Sequence, residues 1–129
     1  MADPNHLAAL KNDVDKWNRW RAENGQVMPD LSGADLGGAN LALANLANVD
    51  LSHAKLVMAD LEGADLRWSN LSGANLVGAR LIGVELEEAN LRGADLQTAE
   101  DLLQEQIDST LGDNRTKLPP GLKRPASWA

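Results

Sequence analysis

Few side chains in this sequence can do chemistry, and their spacing argues against a catalytic centre. His6 and His53 are the only histidines, and cysteine is absent. Two isolated imidazoles without a thiolate or local ligand spacing do not make a transition-metal site, and no metal or other cofactor is expected. Gly-Lys-Ser/Thr never occurs, so no phosphate loop is present. Ser69 has no base in sequence reach to activate its hydroxyl. The neighbours Glu87 and Glu88 fall in a repetitive stretch whose outer side is convex, where no cleft would shift a carboxyl pKa. The expectation is a protein that is not an enzyme.

The element that positions these residues is set by leucine. It recurs at every fifth residue from Leu31 to Leu96, fourteen times without a miss, usually with a small residue two places before it. On a helix, at about 100° per residue, each leucine would lie about 140° past the last and the set would cover every face. The recurrent glycines, such as Gly33, Gly63 and Gly83, would each add roughly 1 kcal/mol inside a helix. In a straight strand the alanine and leucine share a side, but an odd period turns every second repeat inside out. The chain must therefore bend once per unit. Glycine in the second place after leucine suits that bend. Repeated bends with an inward apolar pair close into a coil, and stacked coils satisfy each other's backbone groups.

Units such as Ala34-Asp35-Leu36, Ala39-Asn40-Leu41, Ala64-Asp65-Leu66, Ala74-Asn75-Leu76 and Ala94-Asp95-Leu96 resemble the A-(D/N)-L-x-x motif of the pentapeptide-repeat family. The resemblance covers just over half the chain. It implies an all-β solenoid: a right-handed quadrilateral β-helix over residues 29–98, with four units per coil, residue n beneath n+20, and about three and a half coils. At about 4.8 Å per coil such a stack is roughly 17 Å long.

Residues 1–28 read as an N-terminal capping helix and linker. Asp3-Pro4 is a helix start, Leu7, Leu10, Val14 and Trp17 follow at helical spacing with Trp20 extending the stripe, and Asn24-Gly25 is a stop. Residues 99–129 read as a C-terminal capping helix and tail. Thr98 and Asp101 resemble a capping box, and Leu103, Ile107 and Leu111 mark one helix face ending near Gly112. The proline-rich stretch from Leu118 to Pro125 is expected to run extended, with Trp128 anchoring it to the body. Such an ending is similar to that of some short bacterial family members.

The net charge is −7, and the repeats hold ten acids against four bases. That balance speaks against direct nucleic-acid binding, which needs clustered Lys and Arg. No run of 18 apolar residues is present, no basic patch or anchor suggests a membrane surface, and the N-terminus lacks a secretory pattern, so the expected location is cytoplasmic. Stacking at n+20 predicts outer pairs Asp35/Lys55, Asp60/Arg80 and Arg67/Glu87, and places His53 on the outer wall as a hydrogen-bonding residue. Two outer surfaces stand apart. One is apolar: Val57, Met58 and Val77 on one wall, Leu43 and Ile82 on the next. The other is acidic: Asp65, Glu85, Glu87 and Glu88 beside Arg67 and Trp68. The leading expectation is a non-catalytic protein-interaction or scaffold module with a protein partner, acting as a monomer or homodimer. The resemblance also implies an alternative, a DNA mimic that inhibits or protects a type II topoisomerase such as gyrase. Against it, 17 Å of B-DNA carries roughly ten charges, whereas the repeats spread a net −6 over four walls.

Overall fold

The structure, a computed structural model, describes residues 1–128. Its repeating unit is built by hydrogen bonding. Within each unit the residue two places after leucine adopts a left-handed backbone, from Gly33 at φ +68° to Thr98 at +59°. The N–H of the next residue returns to the leucine carbonyl, as in Ala34 to Leu31 at 3.1 Å, which is a type II turn. The Asx side chain accepts the N–H two residues on, as in Asp35 from Gly37 at 3.2 Å and Asn70 from Ser72 at 3.0 Å. The remaining three N–H groups pair between coils: Leu36 to the Lys55 carbonyl, Gly38 to the Val57 carbonyl, and Lys55 to the Ala34 carbonyl. Inside the stack, an Asx unit with a coil above and below thus has a partner for each N–H, so the backbone can turn without an unpaired donor. At Lys55, Arg80 and Glu85 no Asx side chain is available, and the N–H groups of Val57, Ile82 and Glu87 lack that cap.

The coils pair at a 20-residue offset, from Asp30 with Asp50 to Arg80 with Glu100. Four units therefore make one turn. Pairing is through isolated parallel bridges, and no extended strand forms among the described residues. The expected all-β character is corrected to this form because a left-handed residue interrupts the chain every fifth position. All fourteen leucines and most of the small residues two places before them are buried. Ser69 takes an alanine position without an orphaned hydroxyl, since its Oγ donates to the Leu66 carbonyl at 2.7 Å.

The N-terminal segment forms two helices rather than the expected one, α1 (Pro4–Asn12) and α2 (Val14–Glu23). Asp13 is extended (φ −162°, ψ 110°) and its carboxylate caps the Lys16 N–H, because a short acidic side chain competes with the helix for that donor. The break lets Leu10 and Trp17 both close the bottom of the core. α2 also stands in for a missing coil. Asn18 Nδ2 donates to the Leu43 carbonyl while its Oδ1 accepts from Asn45 N, and Trp17 Nε1 donates to the Asn45 carbonyl at 2.8 Å. Arg21 donates to the carbonyls of Ala47 and Val27. Asp3 N–H reaches the Asp30 carbonyl, and His6 Nδ1 accepts from Asp30 N at 3.3 Å.

At the other end the expected helix to Gly112 is only five residues, α3 (Gln104–Asp108). Thr98 and Asp101 are both left-handed and do not form a capping box; instead Leu103 N–H donates to Gln106 Oε1 at 2.7 Å. Leu111 then bridges Asn90 and Lys117 bridges Asp95, offsets of 21 and 22 residues. The coil thus continues past the regular repeats, with Ile107, Thr110 and Thr116 buried inward. Five bridged levels from Asp30 to Leu111 make the stack about 19 Å tall. Trp128 is buried, its Nε1 donating to the Thr110 carbonyl at 3.1 Å and its ring covering Gly112.

Candidate functional site

The corners of the coil carry the most informative side chains. A left-handed backbone costs an L-residue about 1–2 kcal/mol, and half of the fourteen corners avoid this with glycine. Leu43 (φ +64°), Met58 (+61°) and Trp68 (+58°) do not. They are also 70%, 64% and 52% exposed. Each combines backbone strain with apolar surface left in water. Leu43 and Met58 lie towards a glycine of the next coil: a Cβ at Gly63 would stand 2.8 Å from Leu43 Cδ2, and one at Gly78 would collide with the Met58 sulfur. His53 lies against Gly73 in the same way; its ring makes no hydrogen bond, contrary to expectation. Trp68 has Glu88 in the level above, not glycine, and projects from the wall.

The apolar wall is shallower than the sequence pattern predicts. Val57 and Val77 are half-buried in one column with Met58 beside them. On the neighbouring wall Leu43 and Ile82 are exposed, and Leu103, which sequence reasoning placed on a helix face, is exposed in the level above. The C-terminal tail does not cover these residues, since it packs on Thr110, Gly112, Asn114 and Thr116.

In the acidic patch Asp65 stacks directly beneath Glu85, a like-charge pair that would repel. Arg67 lies between them. It forms a two-point pair with Asp65 (2.9 and 2.7 Å), approaches Glu85 at 3.6 Å, and holds its guanidinium 5.2 Å from the Trp68 ring centre. The Arg67 hydrogen bond draws the Asp65 carboxyl below the usual carboxylate range, and Asp65 in turn raises Arg67. The expected Arg67–Glu87 pair does not form, because Asp65 is nearer on the same unit. Asp60–Arg80 does form, at 3.5 Å, with Glu62 joining at 3.7 Å. Asp35 and Lys55 are bridged at the backbone without an ion pair. Glu85 and Glu87, with Glu105 of α3, line a crevice of about 320 Å³ where α3 leaves the coil.

Arg21 is the group sequence reasoning missed. It is buried, burial lowers its pKa, and its Nε has no hydrogen-bond partner. Its signal in the sequence is its spacing, four residues after Trp17 and seven after Val14 on the inward stripe of α2, where Arg19 is not. No group of three His, Cys, Asp or Glu side chains converges to hold a metal ion among the described residues, and no helix is long and apolar enough to cross a membrane.

A 20-residue coil of buried Ala–Leu pairs with Asx-capped corners defines a solenoid repeat protein of the β-helix class. The family model for pentapeptide repeats matches residues 30–67 and 59–97 in eight copies, and the chain belongs to that family. The crystal structure of Rfr23, a pentapeptide repeat protein from the cyanobacterium Cyanothece 51142, superposes with a TM-score of 0.62 at 39% identity over 69% of this chain and 60% of that one. This chain therefore spans about three-fifths of that neighbour's length. Two further pentapeptide repeat proteins come from Nostoc PCC 7120. The structure of alr5209 matches at 28% identity over 79% of this chain and 84% of its own, TM-score 0.40. HetL, described as involved in heterocyst differentiation regulation, matches at 25% over 76% and 56%, TM-score 0.35. No curated protein gives a significant match.

Proposed function

We propose that this chain is a non-catalytic scaffold whose outer walls bind a protein partner in the cytoplasm, acting as a monomer or homodimer on a right-handed, four-walled coil. The observation that carries this reading is the placement of Leu43, Met58 and Trp68. Each is exposed at a backbone position where glycine would relieve strain. Such residues are destabilising for the free protein on both counts and become favourable when a partner covers them. Val57 and Val77 extend the apolar surface on the wall of Met58, and Ile82 extends that of Leu43, whereas Trp68 stands beside the acidic residues.

The topoisomerase alternative has less support. Arg67 sits among Asp65 and Glu85, and Arg80 between Asp60 and Glu62, so the walls alternate in sign where a duplex presents unbroken phosphate charge. The test is chemical cross-linking and affinity capture with the wild type beside Met58→Glu and Trp68→Ala, each checked for an unchanged melting temperature. A specific partner retained by wild type and lost by either variant supports the reading. A partner set unchanged by both variants refutes it. Inhibition of gyrase supercoiling at micromolar protein would move the assignment to the alternative.

A further inference from the structure

The bottom of the first coil is capped on only part of its circumference. Each coil presents downward-facing backbone groups that the coil beneath would pair. Around Asp30 and from Leu43 to Ala47 these groups are taken by Asp3, His6, Trp17, Asn18 and Arg21. Between them the edge is open. The N–H and C=O of Asp35, the C=O of Gly37, the N–H and C=O of Asn40 and the C=O of Ala42 have no partner among the described residues. One level up, the equivalent groups of Lys55, Val57, Asp60 and Glu62 are all paired downward, to Ala34, Leu36, Gly38, Ala39, Leu41 and Leu43. The open groups therefore stand in the register of a further parallel coil, in two stretches, at Asp35–Gly37 and at Asn40–Ala42, on either side of the left-handed corner at Gly38. Asp35, Gly37, Gly38 and Asn40 are exposed.

A crevice of about 340 Å³ runs beside part of this edge, between Asn40, Ala42 and Leu43 on the coil and the Leu10–Asp15 junction of α1 and α2. The break at Asp13 creates it. Its walls combine apolar surface (Leu10, Val14, Leu43) with charge (Lys11, Asp13, Asp15). Together with Asp35 on the edge, the charged groups sum to an acidic excess of two.

We propose that the open edge from Asp35 to Ala42 receives a basic peptide segment of another protein, which bends once beneath Gly38 and adds parallel bridges to both stretches of the first coil. An unpaired edge is a template for strand addition, and main-chain pairing supplies affinity while the crevice accepts side chains. The local acidic excess selects lysine or arginine in the segment. The same charge, on a chain of net −7, disfavours a second copy of this protein as the occupant, because Asp13, Asp15 and Asp35 would face like charges. This site lies at the end of the stack and shares only Leu43 with the walls proposed above.

The test uses the full chain and three ten-residue probes with blocked ends: an alternating lysine–alanine peptide, its glutamate counterpart, and the lysine peptide with N-methylated backbone. The lysine peptide is expected to shift the amide resonances of Asp35 and Asn40 and to slow their hydrogen exchange. The other two should do neither. Asp15→Lys should weaken binding about two- to fivefold, while Val77→Glu should leave it unchanged, so the edge and the wall are read apart. Equal binding of the methylated peptide would overturn the proposal, since attraction without strand pairing would then suffice. So would an absence of binding at about 1 mM peptide. Slow exchange at Asp35 and Asn40 in the free protein, together with a dimer by sedimentation, would assign the edge to a second copy and also overturn it.

Discussion

Truncation of Leu66 to alanine tests the stacking register most directly. Leu66 is fully buried, with Leu46 in the level below and Leu86 above, both buried. Its N–H donates to the Glu85 carbonyl at 2.9 Å, and its carbonyl accepts from Ser69 N and Ser69 Oγ. The backbone is therefore held on three sides, and the coils cannot close on the lost side chain without breaking bridges. Buried Leu→Ala changes cost about 2–5 kcal/mol, and the upper part of that range applies where collapse is prevented. At about 4 °C per kcal/mol for a chain of this size, the melting temperature should fall by roughly 16 °C. Asp60→Lys is the matched control. It loses an exposed pair with Arg80 at 3.5 Å and the cap on Glu62 N–H at 3.0 Å, about 1 kcal/mol together. Calorimetry on the two variants decides. A larger loss for Asp60→Lys would mean that Leu66 does not point inward and that the n+20 register is wrong.

Two further outcomes follow from the ends of the stack. The Asp113 carboxyl is held down to about 2, chiefly by the Arg115 side chain. Its stabilising contribution is complete above the ordinary carboxylate pKa of about 4 and is lost as pH falls through about 2. Arg115→Ala should return the Asp113 titration, followed by carboxyl NMR, towards the ordinary range; an unmoved midpoint would exclude Arg115 as the cause. Removal of residues 1–26 should expose Leu31 and the carbonyls of Asn45 and Ala47, giving aggregation or end-to-end association by gel filtration. A soluble monomer with unchanged circular dichroism would refute the capping role of α1 and α2.

The five-residue register, the inward leucines and the family are legible in the sequence because one side-chain period controls all three. Asx capping is legible too, since Asp and Asn have few other uses at a fixed place before leucine. The break at Asp13 is not, because Leu10, Val14 and Trp17 keep helical spacing across it. The continued coil is hidden for a different reason. Leu111 and Lys117 join it through backbone bridges at offsets of 21 and 22, and main-chain pairing leaves no trace in residue type. Of the candidate surfaces, the apolar and acidic residues can be placed on walls by counting. Their strain cannot, because glycine is replaced at half of the corners without any change in the spacing of leucine. The open edge at Asp35–Ala42 is equally silent, since Ala34-Asp35-Leu36 reads the same whether a partner lies beneath it or not.

The 20-residue offset between bridged levels has a consequence for how such a chain changes length over evolutionary time. Gain or loss of four consecutive units preserves the angular phase of everything downstream, so each wall keeps its composition and simply becomes taller or shorter. Gain or loss of a single unit rotates all later units by a quarter turn. One pentapeptide inserted before Leu76, for example, would leave the leucines buried and the coil intact. It would also separate Val77 from the column of Val57 and move Glu85 away from Asp65 and Arg67. The core is indifferent to the number of units, whereas the surfaces depend on that number modulo four.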